Sequence, residues 1–103
     1  YPIGFDGRDR EIAEAARWAR LTRKELFGLR PVWQVPQIFN WIAHRPNASG
    51  TRAPTYEEMR SMVWQAIAEG ANGIFCYAFM SLKWAAKHDP FEKRWSEVCR
   101  VAR

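Results

Sequence analysis

Two β-favouring runs, Pro31–Phe39 and Gly73–Phe79, stand on either side of a helix that marks its own start. In Thr55-Tyr-Glu-Glu58, the threonine hydroxyl can accept from a first-turn amide while the glutamate three positions on reaches back to the threonine N–H. Met59, Met62, Val63, Ala66 and Ile67 then repeat at helical spacing, and Gly70 ends the pattern. A strand, a helix and a second strand in that order form a crossover unit. Its strands are parallel and its hand is right-handed, because a twisted strand feeding a helix packs back onto the sheet only that way. The second run, Gly73-Ile-Phe-Cys-Tyr-Ala-Phe79, is apolar throughout, as expected of a strand covered on both faces.

The rest of the chain repeats the alternation. A helix is predicted within 8–28, from about Asp9 to Phe27, with Ile12, Ala15, Ala16, Ala19 and Leu26 on its inner side. Asp6 or Asp9 serves as its cap and Gly28 as its left-handed stop. Asp89-Pro90-Phe91-Glu92 opens another helix over 89–102, with Asp89 as N-cap, Pro90 in the first turn and Glu92 completing a capping box. The predicted fold is therefore α/β, in the order α-β-α-β-α, with helices at 8–28, 55–69 and 89–102 and strands at 31–39 and 73–79. The links from helix to strand are short, while those from strand to helix, about Asn40–Pro54 and Met80–His88, are long. Residues 1–7 read as another strand-to-helix loop. Ligand sites in such folds lie at the carboxyl ends of the strands, among these loops. Two parallel strands leave both sheet edges open. The chain is thus expected to be a single partial domain, 1–103, completed by a missing N-terminal segment or by self-association.

With 103 residues, 48% hydrophobic and 15% aromatic, the composition is that of a folded domain and not a disordered chain. The net charge of +5 comes largely from Arg8, Arg10, Arg17, Arg20, Arg23, Lys24 and Arg30, interleaved with Glu11, Glu14 and Glu25. Arg10–Glu14 and Glu14–Arg17 have helical pair spacing, so the segment reads as a solvated helix face and not as a nucleic-acid footprint. Cys76 and Cys99 sit in unlike contexts and read as buried free thiols, and neither forms a metal-ligand pattern with His44 or His88. No metal, cofactor or nucleic-acid partner is expected. No apolar run nears the ~18 residues of a membrane span.

Four segments carry a resemblance: Tyr1-Pro-Ile-Gly4, Arg30-Pro-Val-Trp-Gln-Val-Pro-Gln37, Pro54-Thr-Tyr-Glu-Glu-Met-Arg60 and Gln65-Ala-Ile-Ala-Glu-Gly-Ala-Asn-Gly-Ile-Phe-Cys-Tyr77. Together they resemble the last part of a glycoside-hydrolase-type (β/α)8 (TIM) barrel, from the end of the sixth strand to the eighth. The resemblance implies a partial barrel and a carbohydrate ligand in the parent barrel. Many barrels of this kind end the seventh strand in a nucleophilic glutamate and carry an acid/base glutamate on the fourth. This chain has no carboxylate from Arg30 to Pro54. An amide cannot replace either member of the two-carboxylate mechanism, so no residue here is assigned a catalytic role.

The remaining candidates are binding residues. Gln34 and Gln37 each offer a donor and an acceptor, suited to paired sugar hydroxyls. Either could instead satisfy backbone groups disturbed by Pro36, which cannot donate to a strand ladder. Trp41 can stack on a sugar ring or pack beneath the long loop. Tyr77 can donate to a ligand or join the core, and Tyr1 reaches the same rim if the strand offset allows. Trp33, earlier in its strand, reads as core. The expected function is a contribution to a sugar-binding mouth with no catalysis by the isolated chain. The alternative is a non-enzymatic α/β domain that self-associates through its open strand edges.

Overall fold

The computed structural model describes residues 1–103. Four α-helices and two short strands follow in the order α1 (Glu14–Glu25), β1 (Trp33–Gln34), α2 (Tyr56–Ala68), β2 (Gly73–Ile74), α3 (Phe79–Trp84) and α4 (Phe91–Val101). The strands form a parallel pair with Trp33 opposite Gly73 and Gln34 opposite Ile74. Beyond it, Gln37 and Tyr77 meet in an isolated parallel bridge. The regular ladder is thus shorter than the runs 31–39 and 73–79. Pro36 contributes no N–H to the ladder, and the chain resumes pairing only at Gln37. Asn72 clips the start of the pair: its N–H donates to the Val32 carbonyl (2.8 Å) while its side-chain oxygen accepts from the Val32 N–H (2.9 Å).

The core lies on one side of this pair. Ile38, Met59, Met62, Leu82 and Val98 form its buried cluster, with Ile12, Ala15, Phe91 and Val101 packed around it. α2 is central and packs against both α1 and α4. Its start has the predicted capping box, with the Glu58 N–H donating to Thr55 Oγ1 (3.2 Å) and the Thr55 N–H donating to Glu58 Oε2 (2.7 Å). Gly70, at φ +87°, closes it. Phe27 and Gly28, at φ 51° and 68°, close α1 in the left-handed region.

The opposite face of the sheet is bare. Trp33 is 62% exposed, Val35 40%, Phe75 57% and Tyr77 41%. These residues share one face by strand alternation, whereas Val32, Pro36 and Ile38 on the other face are buried. Two expectations are corrected here. The second strand has no buried residue, with Ile74 half-buried toward the helices and Phe75, Cys76 and Tyr77 exposed, and Trp33 is not core. The Trp33 ring lies so close over Gly73 that a Cβ there would stand 2.7 Å from it.

Three helix boundaries also differ from expectation. α1 begins at Glu14 instead of near Asp9, because neither aspartate caps it. Asp6 accepts from the Arg8 N–H (3.1 Å), and Asp9 accepts from the Gly4 N–H (3.1 Å) and from Arg52 (2.6 Å). The segment expected as a loop after the second strand contains α3, which turns into the core on Ser81, Leu82 and Ala85, all buried. α4 has no side-chain cap and no capping box. The Asp89 carboxylate is instead held by Asn40 Nδ2 at 2.7 Å. Cys76 and Cys99 are free, but Cys76 is exposed and Cys99 half-buried, so the expectation of two buried thiols does not hold.

Candidate functional site

Gln37 ties the N-terminal segment to the end of the first predicted strand. Its side chain is fully buried. Oε1 accepts from the Ile3 N–H (3.1 Å), and Nε2 donates to the carbonyls of Ile3 (3.2 Å) and Phe39 (3.1 Å). Pairing both backbone groups of Ile3 makes the amide a surrogate strand partner for the N-terminal segment. Both donors of the amide are engaged by backbone carbonyls, so Gln37 supports the backbone of the rim, through Ile3 and Phe39 and not through groups beside Pro36.

Above Gln37, at the carboxyl ends of both strands, aromatic side chains converge on Phe39. Phe39 is buried, and its ring stands edge-on to Tyr1 (5.2 Å between centroids), Trp41 (5.2 Å), His44 (5.0 Å) and Tyr77 (5.8 Å). Edge-to-face contact at this separation is the favoured geometry of aromatic pairs. His44 stacks on Tyr77 (6.0 Å, interplanar 21°) and stands edge-on to Trp84 (5.9 Å). The Tyr77–Ala78 peptide bond is cis.

Hydrogen bonds fix the loop that carries these rings. Asn40 caps the 3-10 turn Trp41–Ala43, its Oδ1 accepting from the Ile42 N–H at 3.1 Å. Trp41 Nε1 donates to the Ile3 carbonyl at 2.7 Å. The Trp41 ring also meets Tyr1 (6.0 Å) and Phe5 (5.7 Å) edge-on, so it is half-buried as a wall of the rim. His44 Nε2 lies 2.9 Å from the hydroxyl of buried Ser81, which joins the first long loop to α3.

What remains open to solvent are the outer parts of Tyr1 (48% exposed), Tyr77 (41%) and Trp84 (58%). The Tyr1 phenol is held above its ordinary value, first by partial burial and then by the neighbouring Tyr77 hydroxyl. It therefore stays a neutral hydrogen-bond donor well beyond neutral pH. The rim combines flat apolar surface with tyrosine hydroxyls, and the rings that form it carry no carboxylate.

Of the five residues singled out in the sequence, the structure brings together Tyr1, Trp41 and Tyr77, with Gln37 beneath them. Gln34 is not among them. Strand alternation turns its side chain toward the helices, into a groove between α1 and β1 that Trp18 and Met62 also line. Sequence reasoning missed Phe39 and His44, and placed Ser81 on a strand-to-helix loop without a role. Phe39 read as the end of a strand and not as a hub. The His44–Ser81 contact spans 37 positions, for which no local pattern exists. No three or more His, Cys, Asp or Glu side chains cluster in a way suited to a metal ion, and no helix is long and apolar enough to cross a membrane. No protein-family model, curated protein or solved structure matches the chain.

Proposed function

We propose that this chain is a sector of a (β/α)8-type barrel and supplies part of a sugar-binding mouth. The observation that carries the reading is the rim of Tyr1, Trp41, His44, Tyr77 and Trp84 around Phe39, at the carboxyl ends of two parallel strands. Sugars present apolar ring faces edged with hydroxyls. Aromatic surface and neutral hydroxyl donors complement both features. The bare sheet face of Trp33, Val35 and Phe75 supports the barrel half of the reading, since a closed barrel fills its interior with inward side chains. The resemblance of the chain to glycoside-hydrolase barrels points the same way.

The proposed role is binding without catalysis. Hydrolysis through paired carboxylates needs two acidic groups about the glycosidic oxygen, and the rim has none. NMR titration of the chain with a panel of neutral tetrasaccharides tests the reading. Shifts are expected at Tyr1, the Trp41 indole, Tyr77 and Trp84, to weaken at least tenfold in Tyr77→Ala, and to occur without release of reducing ends. Absence of shifts at the rim, or turnover by the isolated chain, contradicts it.

A second reading is a non-enzymatic domain that self-associates through its sheet, favoured by the same exposed face. It predicts a concentration-dependent mass in sedimentation equilibrium, with the Trp33 and Phe75 signals changing on dilution. A constant monomer mass removes it.

A further inference from the structure

Where α3 packs on α4 there is a second aromatic cluster, which contains none of the rings of the rim. Phe79 opens α3, and Lys83 follows one turn later on the same face. Phe91 and Trp95 stand one turn apart on α4. Phe79 is edge-on to both, with its centroid 5.4 Å from Phe91 (interplanar 86°) and 5.2 Å from Trp95 (87°). Phe91 and Trp95 are parallel to within 7°, their centroids 6.4 Å apart. Phe79 thus forms one wall of a right-angled corner, and Phe91 and Trp95 share the orientation of the other. The corner is open to solvent: Phe79 is 42% and Trp95 38% exposed, and Phe91 is half-buried.

A cation already sits there. Lys83 Nζ lies over the Phe79 ring at 5.1 Å from its centroid and over the Phe91 ring at 5.8 Å. Both distances are within the reach of cation–π attraction, in which a positive charge meets the negative face of a ring. Lys83 makes no ion pair, so no carboxylate draws its ammonium to this place. The rings are what it faces.

A lysine ammonium is nevertheless a poor occupant. It is compact and strongly hydrated, with three N–H donors, and the three rings carry no strong acceptor for them. Holding it over the rings also costs a long side chain its rotamer freedom. A trimethylammonium group carries the same charge with no N–H to satisfy. Its methyl groups bury apolar surface against the rings while the charge faces two of them at once.

We infer that the corner of Phe79, Phe91 and Trp95 is a binding site for a small free organic cation of the trimethylammonium class, which enters by displacing the Lys83 ammonium into solvent. Lys83 is an internal competitor for the site. The inference lies outside the sugar-binding rim and does not depend on that reading.

NMR titration of the 103-residue chain with choline chloride tests it. The controls are sodium chloride at equal ionic strength and choline's neutral isostere, in which tert-butyl replaces trimethylammonium. Choline is expected to shift the ring signals of Phe79, Phe91 and Trp95, to leave Tyr1 and Trp41 unmoved, and to bind at least fivefold more tightly than the isostere. Lys83→Gln is expected to tighten choline binding about threefold, because the competing ammonium is gone. Phe79→Leu, at an exposed ring, is expected to weaken it at least fivefold while α2 amide signals keep their positions, which shows the fold retained. Equal binding of the isostere overturns the inference and makes the corner an apolar patch. Choline binding that Lys83→Gln leaves unchanged or weakens also overturns it, as do shifts confined to Tyr1 and Trp41. Phosphatidylcholine vesicles form the last arm. Retention of the chain on vesicles with no shift from free choline assigns the site to a membrane headgroup and overturns the free ligand.

Discussion

The Gln37 amide shows how far one residue can act at a distance in sequence. It closes hydrogen bonds to Ile3 and Phe39 from a fully buried position. Gln37→Leu keeps most of the volume but strands the Ile3 N–H and the Phe39 carbonyl, while the Ile3 carbonyl keeps its bond from Trp41 Nε1. A loss of about 3 kcal/mol is expected, since stranded buried backbone groups cost about 1–3 kcal/mol each and partial rehydration recovers some of it. Urea denaturation measures this, and Tyr1 and Trp41 are expected to lose their fixed geometry together. Glu58 gives a pH prediction. Its carboxyl is held below its ordinary value, first by the hydrogen bonds from Arg52 and then by the Thr55 N–H. A depressed folded value stabilises above the unfolded value and is lost as pH falls through the folded one. The chain is thus expected to lose stability between about pH 5 and pH 3 more steeply than Glu58→Gln, as thermal melts across that range would register. The chemistry of these side chains was legible in the sequence, but their partners were legible only where they were local. Thr55–Glu58 is spaced as a capping box. Gln37–Ile3 and Arg52–Asp9 are 34 and 43 positions apart, and only the fold brings them together.

At the level of elements, the alternation of helices and strands and the parallel pairing are the part that periodicity and connection length convey. Cap partners and short turns are the part they do not. Asp89 precedes a proline and looks like a helix cap, yet a loop amide from Asn40 takes its carboxylate. α3 has six residues, too few for a hydrophobic period to emerge, and its buried Ser81 gives no apolar signal. Faces are similarly ambiguous. An apolar run says that a strand wants cover, and not whether this chain provides it. Gly73 reports on the uncovered face. A side chain there meets the Trp33 ring, but that ring is free to swing into solvent. Gly73→Val is therefore expected to cost only about 1 kcal/mol, at the low end of overpacking, while making Trp33 more accessible to acrylamide quenching. A loss several times larger, with Trp33 unmoved, would mean that the ring is anchored from its outer side.

Across the whole molecule, the arrangement is asymmetric. Helices bury Val32, Pro36 and Ile38 of the first strand run, and the other side of the sheet presents Trp33, Val35, Phe75 and Tyr77 to solvent. The rim at the carboxyl ends is built by loops that knit Tyr1, Phe39, Trp41 and His44 into one body. The crossover unit of two strands and α2 is complete, and its sheet has one exposed face and two unpaired edges. Exchange of individual backbone amides with solvent deuterium, on the monomeric chain, tests this most directly. Protection is expected to alternate, slow at Gln34 and Phe75, whose peptide groups join the two strands, and fast at Trp33, Val35, Ile74 and Cys76, which face outward. Uniform slow exchange through both strands of a monomer would contradict the account, because it would mean that both edges are already paired or covered.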